Sequence, residues 1–279
     1  MIENSYGIVK RLEYVEKAIE ECRPKAVLDY GCGTGELLTV PLAKSSPDIK
    51  FVAVDDDRSS IEFAREKNTG LGNLTFSYPD ELDQSARFDL IIASEVIEHV
   101  EHPEELLAFL RDKLEAGGQM IVTLPNGYGP FEVTSFFEAM LFRIGIDAAG
   151  IYRHFSKSES SAENNVPSDG KCSLAISPHI NFFSYGEICR LIGGNGLEIT
   201  NYQPRTFLCG VGFDQILRGK FLTSWNSRLA DSLPPWTISD WMFTIVENNS
   251  NSSGNSAVYK RNRYARFRRL INEKRWGLR

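Results

Sequence analysis

The stretch Val27-Leu28-Asp29-Tyr30-Gly31-Cys32-Gly33-Thr34-Gly35-Glu36 constrains this chain more than any other ten residues. An apolar run that reads as a buried strand ends on a carboxylate, and glycines at alternate positions then turn the backbone into a helix. Glycine tolerates positive φ and lets a ligand touch backbone N–H groups. The N-terminus of the helix that follows adds a positive dipole. A strand, a glycine turn and a helix in this order open an α/β fold, but glycines alone do not select a ligand.

Charge narrows the choice. The dinucleotide fingerprint places its third glycine where this chain carries Glu36, and a pyrophosphate sits over that helix end. A glutamate there would meet a diphosphate with like charge. S-adenosylmethionine (SAM) has no phosphate and carries a sulfonium and an ammonium, so acids around the loop suit it, with Asp29 near the ammonium. The run Phe51-Val52-Ala53-Val54 ends in Asp55-Asp56-Asp57, where a ribose-binding acid belongs. A purely structural strand–turn–helix is the plainer reading, and the joint spacing of loop and acid speaks against it.

These residues resemble the class I SAM-dependent methyltransferases over 25–125, through Val27 to Glu36, Val54-Asp55 and Phe88-Asp89-Leu90-Ile91-Ile92-Ala93-Ser94-Glu95. The resemblance implies that Gly31 and Gly33 line the methionine moiety, Asp55 holds the ribose hydroxyls and Asp56 borders the adenine. It also implies that Ser94 lies beside the SAM tail. Relatives place an acid followed by alanine after the third strand to read the adenine amino group. This chain has Tyr78-Pro79-Asp80-Glu81-Leu82-Asp83 there, so the adenine contact stays open.

Along the chain, apolar spacing predicts a lead-in helix over 8–20. Strand and helix patterns then alternate through Glu36–Lys44, Phe51–Val54, Ser60–Lys67, Leu74–Ser77, Phe88–Ala93, Pro103–Leu114 and Met120–Leu124, with Gly117-Gly118 ending the helix before the fifth strand. Such alternation predicts an α/β doubly wound, mostly parallel sheet. A helix over Tyr185–Ile192 and strands at Leu197–Asn201 and Trp241–Val246 bring it to seven strands. The expected organisation is a lead-in helix at 1–24, a SAM-binding Rossmann-like core at 25–126 and a substrate lid at 127–183. The core resumes over 184–248 with an insertion at 210–239, and 249–279 is a linker with a basic helix.

Beyond the fourth strand stands Glu95-Val96-Ile97-Glu98-His99. On a helix, offsets of three and four put Glu95, Glu98 and His99 on one face, at the carboxyl end of the sheet where ligands bind. Two carboxylates and an imidazole converging there read as a divalent-metal site, with His179 folding back as a fourth ligand. The plainer reading is that acids near a helix N-terminus are favoured by its dipole. The stretch resembles two methyltransferase subgroups, the ubiquinone-biosynthesis O-methyltransferases and the small-RNA 3′-terminal ribose methyltransferases. That resemblance implies a divalent ion (Mg or Mn) at Glu95, Glu98, His99 and His179. His99 or His179 would otherwise serve as catalytic base. His102 and His154 lack comparable neighbours and read as surface histidines.

The region Phe131 to Arg153, rich in phenylalanine, suits either a cover for an apolar acceptor or packing on the sheet. From Lys260 onward, eight further cations (Arg261, Arg263, Arg266, Arg268, Arg269, Lys274, Arg275 and Arg279) face the single acid Glu273. That tail suits an anionic membrane surface, an acidic partner or RNA phosphates. It equally suits a helix docking its side Tyr264, Phe267, Leu270 and Ile271 on the body with arginines solvated. The net charge of −6 opposes wholesale nucleic-acid binding. Five scattered cysteines without C-x-x-C spacing and a start lacking a signal-peptide pattern point to the cytoplasm, with peripheral membrane contact as an extension. The leading expectation is a SAM-dependent O-methyltransferase acting on a small molecule, lipid precursor or glycan. An RNA ribose methyltransferase and a non-catalytic SAM-binding regulatory protein are the alternatives.

Overall fold

The computed structural model describes residues 5–134, 136, 178–208, 220–248 and 257–275. Strands β1 (Ala26–Tyr30), β2 (Lys50–Val54), β3 (Leu74–Ser77), β4 (Phe88–Ser94), β5 (Leu114–Pro125), β6 (Leu197–Pro204) and β7 (Asp240–Glu247) form one sheet. Its order is β3-β2-β1-β4-β5-β7-β6. The first five strands pair in parallel, and β7 enters antiparallel between β5 and β6. The mostly parallel seven-stranded sheet expected from the alternating pattern is therefore present.

The central strands read as unbroken apolar runs because helices cover both faces. On one face, Tyr14, Val15, Ala18 and Ile19 of α1 (Ser5–Cys22) pack with Val27, Phe51, Leu90 and Ile92. On the other, Leu106, Leu107 and Leu110 of α4 (Pro103–Asp112) join Ile188 and Leu191 of α5 (Tyr185–Gly193) against Leu28, Ile91 and Phe243. Each of the valine, leucine, isoleucine and phenylalanine side chains among these contributes about 1.5–3 kcal/mol when fully buried. Further helices are α2 (Thr39–Ser45), α3 (Arg58–Lys67), α6 (Lys220–Ser232) and α7 (Arg263–Arg275).

Two local expectations are corrected. The helix after the glycine loop starts at Thr39 rather than Glu36, because 36–38 form turns before it. Gly117-Gly118 does not cap α4, which ends at Asp112. The pair lies inside β5, with Gly117 at φ +79° and the register of β4 against β5 shifting between Phe88 and Leu90. Most of the expected lid, the first third of the 210–239 insertion and the 249–256 linker lie outside the described residues.

The strand order reverses between β1 and β4, which pair through Val27 and Leu90. Loops leaving the carboxyl ends of these two strands turn to opposite faces, and the crevice between them is where open α/β sheets bind ligands. Here those loops carry the glycine turn and the Glu95–His99 segment.

Candidate active site

The glycine turn has the backbone its composition implies, with Gly31, Gly33 and Gly35 at φ +81°, +57° and +71°. Gly31 is also required for space, since a Cβ there would lie 2.3 Å from Val96 Cγ2. The turn after β4 is thus in van der Waals contact with the turn after β1. Asp55 Oδ2 accepts from the Gly33 N–H (2.7 Å) and Oδ1 from the Asp57 N–H (2.9 Å), tying the loop to the end of β2. Asp56, by contrast, is exposed. Asp29 is buried; its Oδ2 accepts from Thr39 Oγ1 while Oδ1 has no hydrogen-bond partner among the described residues. Burial pushes its carboxyl up to about 6. A buried acceptor without a donor is costly, and a cation arriving at this turn would relieve it. Ser94 Oγ accepts from Arg11 Nη1 (3.1 Å) and shares a hydrogen bond with Thr123 Oγ1 (2.8 Å).

The segment 95–99 is not the expected helix. Glu95 sits at φ +58°, a left-handed conformation uncommon for a residue with a side chain. Its N–H donates to Thr123 O (2.9 Å), and the His99 N–H closes a tight turn on Val96 O (2.9 Å). The carbonyls a helix would use internally are taken by a distant segment. Ile180 and Asn181 N–H groups both donate to Glu98 O at 2.9 Å, and Asn181 Nδ2 donates to Ile97 O and Val100 O. That pairing is what brings His179 back to the turn.

Of the four expected metal ligands, Glu98, His99 and His179 come together, each offering a ligand atom within 4.8 Å of the others. The two imidazole rings meet edge to face at 4.9 Å. Glu95 turns aside: its carboxylate accepts from Thr123 Oγ1 (2.8 Å) and lies 3.4 Å from Arg205 Nη1, which in turn is anchored by Asp240. Glu98 is 1% exposed, and neither of its carboxylate oxygens has a hydrogen-bond partner among the described residues. Native proteins rarely leave a buried carboxylate unbonded. This mixed nitrogen–oxygen set fits a divalent ion, which would satisfy both oxygens at once.

The electrostatics separate these groups. Burial pushes the Glu98 carboxyl up, with Glu95 nearby adding to the rise, to about 8. Burial takes the His99 imidazole down to about 4, and the His179 cation beside it works the same way. His179 is also buried, yet Glu132 outweighs that and holds it up to about 9. Burial opposes the Glu95 charge, but Arg205 and Arg11 hold its carboxyl below the usual range. His99 Nδ1 donates to Pro178 O (3.1 Å), which makes Nε2 the acceptor nitrogen of the neutral ring. His179 Nδ1 donates to Glu132 Oε1 (2.6 Å). His102 is exposed, as expected of a histidine outside the site.

Sequence reading missed Arg11, Glu132, Arg205 and Arg268. Each is a charged residue at 5% exposure or less, and nothing in its local pattern distinguishes it from a solvated charge. The basic tail docks on the body by part of the side expected: Tyr264 and Ile271 are half-buried, with the Tyr264 ring stacked on Tyr128 at 4.7 Å. Arg268 is buried against Glu132, whereas Phe267 and Leu270 are 54% and 42% exposed.

A model of the family described as methyltransferase domain matches residues 8–202. The chain is 30% identical over 132 residues to a malonyl-[acyl-carrier protein] O-methyltransferase of Halalkalibacterium halodurans, covering 44% of this chain and 47% of that one. It is 32% identical over 115 residues to a ubiquinone biosynthesis O-methyltransferase of Rickettsia conorii, covering 40% and 38%. The chain thus spans less than half the length of these two relatives. In fold it is similar to the crystal structure of a SAM-dependent methyltransferase from Clostridium acetobutylicum, with a TM-score of 0.51 at 14% identity over 89% of this chain and 93% of that one.

Proposed function

The chain belongs to the methyltransferase-domain family, and from that premise we propose that it is a SAM-dependent O-methyltransferase acting on a hydroxyl of a small molecule, lipid precursor or glycan, with a divalent ion at Glu98, His99 and His179. The observation that carries this reading is Glu98, buried with both oxygens unbonded between two imidazoles, in a turn whose Val96 touches the glycine loop. On the cofactor side, SAM supplies an electrophilic methyl group on its sulfonium. Asp29 and Asp55 would hold the ammonium and the ribose hydroxyls, with Gly31 and Gly33 along the methionine, Asp56 by the adenine and Ser94 beside the tail.

On the acceptor side, a divalent ion held there would supply Lewis acidity, which favours loss of the acceptor hydroxyl's proton. Glu98, His99 Nε2 and His179 Nε2 offer the ligand atoms, and Glu95, held ionised by Arg205, adds negative potential beside them. In the ion's absence, His99 Nε2 is the acceptor positioned to take the hydroxyl proton. The test is methyl transfer from labelled SAM to 3,4-dihydroxybenzoate, a vicinal-diol probe, after divalent ions are stripped and then Mn2+ restored. Loss and recovery of product is expected; undiminished transfer by the stripped protein overturns the metal part. A 3′-terminal ribose diol on a short RNA is the comparison substrate. The tail gives RNA little support, because Arg268 and Arg269 are engaged by Glu132, Glu101 and Glu273.

The outward side of α7 carries Arg263, Arg266 and Lys274 beside exposed Phe267 and Leu270, which supports peripheral contact with an anionic lipid surface. Cosedimentation with phosphatidylglycerol vesicles, lost in Phe267→Glu/Leu270→Glu, is the expected outcome; equal binding by both proteins retires it. Among the described residues, no helix is long and apolar enough to cross a membrane.

A further inference from the structure

The basic tail was open to several partners by sequence, and the structure gives part of it an internal one. Arg268 lies in α7 at 2% exposure. Its Nη1 donates to the main-chain carbonyl of Glu132 (2.7 Å) and its Nη2 to the Glu132 Oε2 (2.5 Å). A single guanidinium therefore grips both backbone and side chain of Glu132, within the helical turn 130–134. The guanidinium also lies 5.0 Å from the Phe182 ring centroid and 5.1 Å from that of Phe136. A planar fork can make these contacts together; an ammonium cannot. The other Glu132 oxygen receives the His179 Nδ1–H.

Around this contact α7 and the residues before it hold both sides of the site from outside. Asn272 Nδ2 donates to His179 O (3.1 Å). Arg261 Nε donates to Asn181 Oδ1 (2.8 Å), and Asn181 is the residue that takes the Ile97 and Val100 carbonyls. Arg269 and Arg261 pair with Glu101, two residues past His99. We infer that Arg268 is a positioning residue of the site, acting through Glu132 to fix the ring of His179 with Nδ1 protonated and Nε2 turned to Glu98 and His99. A carboxylate on the far nitrogen of a liganding histidine sets its tautomer and orientation, and losing such a partner typically weakens metal binding by about 10–100-fold.

The inference rests on the proposed reading of Glu98, His99 and His179 as ligands, and the experiment separates the two. Mn2+ titration of the full wild-type chain, followed by its electron paramagnetic resonance, tests that reading alone. The His179 ring is followed separately in the metal-free full chain by long-range proton–nitrogen NMR. Wild type is expected to show a protonated Nδ1 hydrogen-bonded to Glu132; a ring protonated only at Nε2 overturns the inference without any variant. In Arg268→Lys, which keeps the charge and loses the fork, and in Glu132→Gln, the Nδ1 resonance is expected to shift. Mn2+ binding should weaken about 10–100-fold, with SAM binding by calorimetry unchanged. A merely structural clasp predicts the opposite pattern: a lower melting temperature with His179 resonances and Mn2+ affinity at wild-type values, and that result sinks the proposal.

Discussion

The proposed cofactor side of the crevice draws on Asp29, the glycine turn and Asp55, joined across two adjacent parallel strands. The proposed acceptor side draws Glu98 and His99 from the turn after β4, Glu132 from beyond β5, His179 from ahead of α5 and Arg268 from α7. Its contacts span sequence separations of 47 between Glu132 and His179 and 136 between Glu132 and Arg268. The first side is built by backbone geometry, so few substitutions of its neighbours would move it. The second is built by side chains meeting across the fold, so it depends on every segment that delivers one. One half of the site is thus joined across neighbouring strands, and the other by segments far apart in the chain.

If that division is real, the halves should fail separately. The largest effect is expected from His99→Ala, which removes the acceptor nitrogen that the proposed reaction uses as ligand or base. Turnover of the vicinal-diol probe should fall about 10²–10⁴-fold, while calorimetric SAM affinity stays at the wild-type value. A parallel loss of SAM binding would show that the turn after β4 serves both ligands.

Asp55→Asn gives the converse result. It replaces a charged acceptor of the Gly33 and Asp57 N–H groups, a loss of about 1.5–3 kcal/mol per hydrogen bond to a charged group. The expectation is weaker SAM binding with turnover at saturating SAM retained. Loss of turnover alone would contradict the assignment of Asp55 to the cofactor side.

The smallest effect sharpens the comparison through pH. Burial holds the Asp29 carboxyl up at about 6, above its unfolded value. Its ionised form, the one that attracts an ammonium, is therefore populated above about pH 6 and lost below it. SAM affinity should decline as pH falls from 7 to 5, and Asp29→Asn should flatten that decline. The same shift has the reverse sign for the ligand-free fold: the stability this group contributes is full below its unfolded pKa and is lost as pH rises through about 6. An unchanged pH profile in the variant would remove Asp29 from the ammonium site.

How much could be read without the structure follows the same division. Alternating apolar runs and the glycine turn specify strands and helices through neighbours a few residues apart, so the seven-stranded, mostly parallel sheet and the backbone of the glycine turn were legible. The helix drawn through Glu95, Glu98 and His99 was not real. Its spacing was suggestive, but Asn181 and Ile180 claim the carbonyls that a helix needs. Likewise, the apolar stripe expected on the tail is only half used: Tyr264 packs on Tyr128, but Phe267 and Leu270 are exposed and Arg268 is buried instead.

The sequence by itself determined an α/β sheet with an acid-rimmed glycine turn, because hydrophobic period and backbone conformation act over short stretches of chain. Only the tertiary structure decided which charges are buried together. Glu98 with His179, and Glu132 with Arg268, meet through hydrogen bonds between segments far apart in the chain, which offset the cost of burying charge, and no local pattern records such a pairing.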